Sequence, residues 1–250
     1  MSSVNPVAAA GFGSAADVYE RARPSYPDEA VRWLAERAGL GAGTTVVDVG
    51  AGTGKLTRLL LSTGARVVAV EPVRAMRAIL RERTPGVEVV DGVAEALPLP
   101  DASADAVTVA QAFHWFDHAV AIPELHRVLR PGGALVLIWN SRDMTDPLQQ
   151  ALEELLRPLR RDAPYQLGGA WRTPLEDSGL FGAPDEARFR IAQEMTAEGV
   201  CERVASTSFV AAMPADERES LLAQVRELAG DRPGRFDFPY VTEVYVTRGV

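Results

Sequence analysis

Apolar residues fall into short runs that alternate with segments of helical spacing over the first 140 residues. Runs rich in β-branched and apolar residues predict strands at 45–49, 66–70, 87–90, 106–110 and 134–139. Between these runs, apolar positions at helical spacing predict helices at 56–62, 75–83 and 124–129. Because strand and helix alternate and the strands are apolar almost throughout, the pattern predicts an α/β fold whose parallel sheet carries helices on both faces.

The pattern changes on either side of this region. Further helices are predicted at 28–38, 146–160 and 198–230, the last with a break near Pro214, and further strands at 185–195 and 240–247. We predict a single domain with three parts. They are an N-terminal helical lid at 1–39, a core at 40–140, and a C-terminal half at 141–250 that completes the sheet and adds helical cap insertions.

Three glycines at alternate positions follow the first strand. The segment reads Val46-Val47-Asp48-Val49-Gly50-Ala51-Gly52-Thr53-Gly54-Lys55-Leu56, and a helical pattern follows. A strand, a glycine turn and a helix N-terminus together let the backbone approach a ligand closely. Right-handed crossovers place the first strand centrally, so its carboxyl end lies at the topological switch point where ligands bind.

Two common nucleotide-binding motifs do not fit this turn. A P-loop requires Ser or Thr after its Gly-Lys pair, but Leu56 follows Lys55. The dinucleotide fingerprint requires glycine where this chain has Lys55. What remains is an alternating glycine turn behind the acidic strand end at Asp48.

Glu71 ends the second strand, 19 positions after Gly52. A carboxylate there is suited to accept hydrogen bonds from the two hydroxyls of a ribose. The alternative is a solvated acid at the end of a strand, with no ligand to bind.

Two later loops lie on the same side of the predicted sheet. The third strand leads into Asp91-Gly92-Val93-Ala94-Glu95, and the fourth leads into Gln111-Ala112-Phe113-His114-Trp115-Phe116. We expect Phe113 and Phe116 to pack in the core. For His114 a role in the pocket and a role in shaping the loop stay open.

These segments, in this order, resemble motifs of the class I S-adenosylmethionine (SAM)-dependent methyltransferases. The aromatic phrase, together with Leu129-Arg130-Pro131-Gly132-Gly133 before the fifth strand, resembles the small-molecule branch called methyltransferase type 11, which is trans-aconitate methyltransferase-like. The resemblance implies a Rossmann-like, doubly wound sheet of seven strands with the last strand antiparallel. It gives the Leu129–Gly133 phrase a structural role, as a turn.

The resemblance also implies SAM as cofactor and S-adenosylhomocysteine as its product. The cofactor-binding residues that it implies are Tyr19, Arg23, Asp48, Gly50, Ala51, Gly52, Gly54, Glu71, Pro72, Val93, Ala94, Glu95 and Gln111. Val93 departs from the family, which commonly has an acid there, so Asp91 and Glu95 stay open as the group that binds the adenine amino group. His114 and Trp115 are the expected acceptor-binding residues, and His114 is the candidate general base.

The segment from Tyr19 to Pro27 resembles N-terminal phrases that fold over the cofactor in this branch. Arg23 within it is suited to bind the carboxylate of SAM. The alternative is a surface turn that the two prolines shape.

Composition narrows the possible partners. The formal net charge of -8 and the pI of about 5.0 disfavour nucleic acid as a partner. Cys201 is the only cysteine, so we expect a structural thiol, no disulfide within the chain and no metal site. The chain shows no signal-peptide pattern and no run of 18 apolar residues, so we expect a cytoplasmic protein without a membrane segment, as a monomer or weak homodimer.

The expected activity is methyl transfer from SAM to a small molecule by in-line displacement. A protein that binds SAM in the same fold without methyl transfer, as a scaffold or a pericyclic catalyst, is the main alternative. A nicotinamide oxidoreductase conflicts with Lys55, and methylation of a macromolecule is disfavoured by the acidic composition.

Overall fold

The computed structural model describes residues 20, 22–160, 169–230, 232 and 234–250. The strands are β1 Thr45–Val49, β2 Arg66–Val70, β3 Glu88–Val90, β4 Ala104–Ala110, β5 Leu129–Arg142, β6 Asp185–Met195 and β7 Phe236–Arg248. They form one sheet in the order β3-β2-β1-β4-β5-β7-β6. Strands β1 to β5 are parallel, and β7 lies antiparallel between β5 and β6. The expected seven-stranded sheet with an antiparallel last strand is confirmed.

Helices connect the strands and extend beyond them. They are α1 Asp28–Ala38, α2 Lys55–Leu60, α3 Arg74–Arg83, α4 His118–Val128, α5 Pro147–Leu156, α6 Arg172–Asp177, α7 Ala197–Ala205, α8 Ser208–Ala211 and α9 Ala215–Gly230. Short 3-10 turns lie at Leu61–Thr63, Phe113–Trp115 and Arg157–Leu159. Helix α6 lies in a stretch for which the sequence predicts no element, because prolines and glycines interrupt its apolar pattern.

Helix α1 packs against the sheet and is not part of a lid. Ala30 and Leu34 are completely buried, in a cluster with residues of β1, β2 and β5. Complete burial of this apolar stripe fixes the helix against one face of the sheet. The predicted lid of residues 1–39 is therefore reduced to residues before Asp28, of which the structure describes Glu20 and residues 22–27.

The helix before β5 begins earlier than predicted. Its N-cap is Asp117, whose side chain accepts a hydrogen bond from the N–H of Ala119. Pro123 lies inside the helix, and proline ordinarily marks a helix boundary, so the sequence pattern placed the start at Glu124. The predicted turn at 129–133 is instead the irregular start of β5, because Leu129 already pairs with Ala104.

A second apolar cluster forms a cap on the extended ends of β6 and β7. It contains Leu152 of α5, Val200 and Cys201 of α7, Val225 of α9 and Tyr240 of β7. Cys201 is 2% exposed, and its thiol lies 3.7 Å from the carbonyl oxygen of Leu222. Burial raises the pKa of this thiol, which agrees with the predicted structural role.

Candidate active site

The glycine turn after β1 is held against the end of β2. The N–H groups of Gly50 and Ala51 donate to the carbonyl oxygen of Val70 at 2.9 and 3.1 Å. Gly50 has φ +68°, and a Cβ added there would lie 2.8 Å from Cβ of Ala112. The turn therefore requires glycine at this position, for its backbone conformation and for the close approach of the loop after β4.

Glu71 lies at the base of this turn and is 4% exposed. Its carboxylate accepts hydrogen bonds from the N–H groups of Gly52 and Val73, both at 2.8 Å. Burial raises its pKa to about 7, against these two hydrogen bonds and the charge of Arg77. Two of the roughly four acceptor positions of a carboxylate are used, so the group retains the capacity to accept from a ribose diol.

Arg77 organises the ends of β2 and β3, and the sequence reading did not identify it. The side chain is 8% exposed in α3 and donates to the carbonyl oxygens of Glu71 and Pro72. It also pairs with Asp91 at 2.7 Å. Asp91 is therefore engaged with Arg77, and half-buried Pro72 is fixed through its carbonyl group. Four of the ten residues of α3 are arginines, and nothing in their local pattern shows that one of them turns inward.

The loop after β3 packs by its backbone and by one acid. Val93 bridges to Ala96, whose N–H donates to the Val93 carbonyl oxygen at 3.2 Å. Ala94 is 4% exposed, within the main core cluster. Glu95 accepts from the N–H of Asp117 at 2.9 Å, which joins this loop to the loop after β4.

Asp48 is completely buried within β1. Its two oxygens accept from the hydroxyls of Thr57 at 2.6 Å and Thr108 at 2.9 Å. Burial raises its pKa to about 6, although these hydrogen bonds act in the opposite direction. Its contacts join the strand to α2 and β4, and this placement favours a structural role over direct contact with a cofactor.

Gln111 begins the loop after β4 in a strained conformation. Its φ of +58° lies in the left-handed region, which is uncommon for residues other than glycine. Its backbone N–H donates to the backbone carbonyl oxygen of Ile138 at 3.0 Å. Its side-chain amide donates to the backbone carbonyl oxygen of Asn140 at 3.2 Å. These two hydrogen bonds to β5 hold the strained conformation at the carboxyl end of β4. Phe113 is completely buried and Phe116 packs against it, as expected.

His114 is half-buried, beside Trp139 of β5. The indole Nε1–H of Trp139 donates to Nδ1 of His114 over 3.4 Å. Burial lowers the pKa of His114 to about 3, and the charges of Arg23 and His118 add to the effect. The ring of Trp115 lies 5.4 Å from that of His114.

A cleft that is partly open to solvent lies between the glycine turn, the end of β4 and the cap. Its walls contain Arg23, Pro24, Tyr26, Gly50, Ala51, Gly52, Thr53, Lys55, Leu56, Ala110, Gln111, Asn140 and Arg203. The cleft brings together five of the predicted cofactor-binding residues. They are Arg23, Gly50, Ala51, Gly52 and Gln111.

The segment before α1 closes one side of this cleft. Arg23 donates to the carbonyl oxygen of Ser206 at 3.1 Å, and Asn140 donates to that of Ser25 at 3.0 Å. Glu20 accepts from the hydroxyl of Thr53 at 2.5 Å and pairs with Arg58 at 2.8 Å. The segment is thus joined to the glycine turn, to β5 and to the cap. Tyr19, another predicted cofactor-binding residue, lies outside the described residues.

Two further classes of site are absent from the part of the chain that the structure describes. No group of three or more His, Cys, Asp or Glu is placed there to hold a metal ion. None of the helices described is both long enough and apolar enough to cross a membrane.

The sequence is similar to known methyltransferases. Residues 47–137 match a methyltransferase domain family. The chain is 41% identical over 240 residues to an uncharacterized methyltransferase of Mycobacterium tuberculosis, and the match covers 92% of each chain. The chain belongs to the SAM-dependent methyltransferases.

Solved structures support this assignment of the fold. A protein from Anaeromyxobacter dehalogenans described as a type II methyltransferase superposes with a TM-score of 0.66 and 26% identity, over 91% of this chain and 97% of that one. The cyclase SpnF superposes with a TM-score of 0.55 and 19% identity, over 91% and 84%. The second similarity shows the fold alone, since its identity is low.

In this methyltransferase, the remaining predicted site residues lie outside the walls of the cleft. They are Asp48, Gly54, Glu71, Pro72, Val93, Ala94, Glu95, His114 and Trp115. Glu71 is nevertheless connected to the cleft, because the N–H of Gly52 in the wall donates to it. The sequence predicted that residues 140–180 and 196–235 would line the pocket, but it did not single out Asn140 and Arg203 within these ranges. A polar residue at the end of a buried strand was a usable signal for Asn140, whereas nothing local distinguished Arg203.

Proposed function

We propose that this methyltransferase binds SAM in the cleft and transfers its methyl group to a small-molecule acceptor. The observation that carries the proposal is the cleft itself. It joins the glycine turn, the strained Gln111 and the cap at the carboxyl ends of β1 and β4. In an open α/β sheet this edge is where ligands bind.

The residues present fit the cofactor. Gly52 exposes backbone in the wall of the cleft, and a Cβ there would meet only Met76, at 3.8 Å. Glu71, bonded to Gly52, retains acceptor positions for the ribose hydroxyls. Arg23 in the opposite wall supplies a guanidinium for the carboxylate of the methionine end.

When bound, SAM supplies an electrophilic methyl group on a sulfonium centre. The protein must then hold donor and acceptor in line and exclude water. Such positioning is worth up to ~7–11 kcal/mol in well-oriented intramolecular reactions. The wall formed by half-buried Arg23 with buried Pro24 and Tyr26, and the fixed loop at Gln111, serve these two purposes.

His114 is better suited to position an acceptor than to deprotonate it. A pKa of about 3 gives the ring little affinity for a proton at neutral pH. Trp139 already donates to Nδ1, so the neutral ring offers an N–H at Nε2. We propose that His114 donates a hydrogen bond to the acceptor and that Trp115 packs beside it.

The decisive experiment is a methyl-transfer assay with methyl-labelled SAM and pools of small-molecule acceptors. We expect S-adenosylhomocysteine to form in proportion to the methylated product. The alternative, SAM binding without methyl transfer, is kept because a cyclase shares the fold. Tight SAM binding with no S-adenosylhomocysteine from any pool would favour that alternative.

We also propose that the enzyme acts in the cytoplasm without a nucleic-acid partner, as a monomer or weak homodimer. The acidic net charge of -8 supports the lack of a nucleic-acid partner. Light scattering across a concentration series tests the second, and a concentration-independent dimer mass would contradict it.

A further inference from the structure

Two hydrogen bonds in series connect the interior of the sheet to the segment before α1. Asn140 of β5 and Thr242 of β7 lie directly opposite each other in the antiparallel pair. The hydroxyl of Thr242 donates to Oδ1 of Asn140 at 2.6 Å, and Nδ2 of Asn140 donates to the carbonyl oxygen of Ser25 at 3.0 Å. Because residues opposite each other share a face of the sheet, the amide of Asn140 lies between the other two groups.

The carbonyl group of Ser25 determines which way the amide of Asn140 points. A carbonyl oxygen only accepts, so the amide nitrogen must face Ser25 and the amide oxygen must face Thr242. Thr242 is therefore the donor to that oxygen. Without the hydroxyl, the buried amide oxygen would lose this partner, and an amide that turned toward water to replace it would release Ser25.

Thr242 is suited to hold the amide in one orientation. Its side chain is completely buried, whereas Asn140 is 7% exposed in the wall of the cleft and Ser25 is exposed. A β-branched side chain has few rotamers, so the donor itself is rigid. The amide is thus already oriented when the segment before α1 closes, and closing costs less side-chain entropy.

The bond between Asn140 and Ser25 must break for the cleft to open on this side. Helix α1 stays in place, because Leu34 is completely buried against the sheet. The segment before it is bonded to the cap through Arg23 and to β5 through Asn140. A ligand that leaves past this segment therefore requires the segment to part from Asn140.

We propose that Thr242 is a positioning residue for the cofactor. Through the amide of Asn140 it keeps the segment before α1 closed, and it thereby slows release of the cofactor. The inference rests on the proposed binding of SAM in this cleft. Thr242 is not among the residues that line the cleft, so its effect passes through Asn140. The residence time of the cofactor is then set in part by a residue that does not touch it.

Two rates test the proposal. One is hydrogen exchange at Arg23, Ser25 and Tyr26 in the cofactor-free protein, and the other is displacement of bound S-adenosylhomocysteine by excess methyl-labelled SAM. Thr242→Val removes the hydroxyl at nearly constant volume and should speed both about three- to tenfold. Asn140→Ala should speed both at least as much. Thr242→Ser keeps the hydroxyl and should stay within twofold of the wild type.

A double variant and a control separate positioning from general stability. Thr242→Val combined with Asn140→Ala should match Asn140→Ala alone within twofold, because Thr242 acts through the amide that is then missing. Thr247→Val is the matched control. Thr247 is a buried threonine of the same strand, and its hydroxyl donates to the carbonyl oxygen of Gly182 at 2.6 Å. Its loss should leave both rates within twofold of the wild type.

The proposal is overturned if Thr242→Val leaves either rate unchanged, or if its full effect persists in the double variant. It is also overturned if Thr247→Val speeds both rates as much as Thr242→Val does, since loss of stability alone would then explain the result. A wild type that binds no S-adenosylhomocysteine rejects the proposed function. The exchange rates need no ligand, so in that case they still show whether Thr242 holds the segment closed.

Discussion

The indole N–H of Trp139 and Nδ1 of His114 form a hydrogen bond of 3.4 Å between β5 and the loop after β4. An indole nitrogen only donates, so Nδ1 accepts and the proton of the neutral imidazole lies on Nε2. The bond thereby fixes the tautomer as well as the orientation of the ring. It favours a neutral donor over the general base that the ordinary pKa of histidine suggests.

We predict that His114 does not titrate between pH 5 and 8. Its pKa is lowered to about 3, below the ordinary value of 6.5. The unfolded chain therefore binds the proton first as pH falls, and this group's contribution to stability declines below pH 6.5, by at most about 1.4 kcal/mol per pH unit. The chain has three histidines, so NMR with His114→Gln identifies the resonance directly. A titration midpoint of His114 near pH 6.5 would instead support its role as a general base.

Cofactor affinity should rise with pH through Glu71. The pKa of the free protein's carboxyl is raised to about 7, and ribose hydroxyls would favour its ionised form. We expect S-adenosylhomocysteine affinity to increase by up to about tenfold per pH unit below pH 7. Glu71→Gln should remove this dependence and cost about ten- to a hundredfold at pH 8.

Glu88→Gln is the control for Glu71, because Glu88 is an exposed acid of β3 paired with Arg66. Its affinity profile should match that of the wild type. The raised pKa of Glu71 also makes the stability of the free protein depend on pH. The free protein should lose stability as pH rises from 4.5 through 7. A flat affinity profile in the wild type would show that Glu71 does not contact the cofactor.

Gly50→Ala should destabilise the protein more than Gly43→Ala. Both glycines have positive φ, +68° and +88°, so alanine costs about 1–2 kcal/mol at either position. Only at Gly50 does the new Cβ meet a neighbour, at 2.8 Å from Ala112, while Gly43 has nothing within 4 Å. Overpacking should add about 1–3 kcal/mol, measured by denaturant unfolding. Equal losses would mean that the loop at Ala112 moves away freely.

Arg77→Leu should cost about 2–4 kcal/mol, because it leaves buried carbonyl oxygens of Glu71 and Pro72 without their donor. It should also weaken S-adenosylhomocysteine binding, since Glu71 loses its support. Arg74→Leu, an exposed arginine of the same helix, should stay within about 0.5 kcal/mol of the wild type. Thermal and denaturant unfolding check both values. If Arg77→Leu is as stable as the wild type, contacts other than those of Arg77 hold the ends of β2 and β3 in place.

The segment 22–27 should become more protected from hydrogen exchange when cofactor binds. Its bonds to Ser206 and to Asn140 already join it to two sides of the cleft. A ligand beneath it should stabilise the closed arrangement and slow local opening. Amides of β6, at the far edge of the sheet, serve as the internal reference. Unchanged exchange at Arg23, Ser25 and Tyr26 would contradict a lid.

The sequence predicted the parallel core well because buried strands are continuous apolar runs. The predicted bounds of β1, β2 and β6 coincide with those in the structure. The predicted bounds were wrong where tertiary contacts overrode the local preference of a proline or a glycine. Pro123 is tolerated inside α4, and β5 begins at Leu129 because pairing with Ala104 starts before the glycines.

Of the site, sequence could identify what lies in motifs and not what folding brings to them. The glycine turn and Gln111 meet in one cleft, as expected for strand ends at a switch point. Arg77 and Arg203 reach their positions through helix packing, and no local pattern separates them from the other arginines. The low pKa of His114 likewise depends on burial, which the fold produces, and on the charge of Arg23, which is distant in sequence.

Helices α7, α8 and α9 of the cap are inserted in the chain between β6 and β7, the two strands at one edge of the sheet. The glycine turn and Gln111, by contrast, lie next to β1 and β4, which pair with each other in parallel. A change in the length of the cap helices therefore leaves the two strands that carry the glycine turn and Gln111 in register with each other.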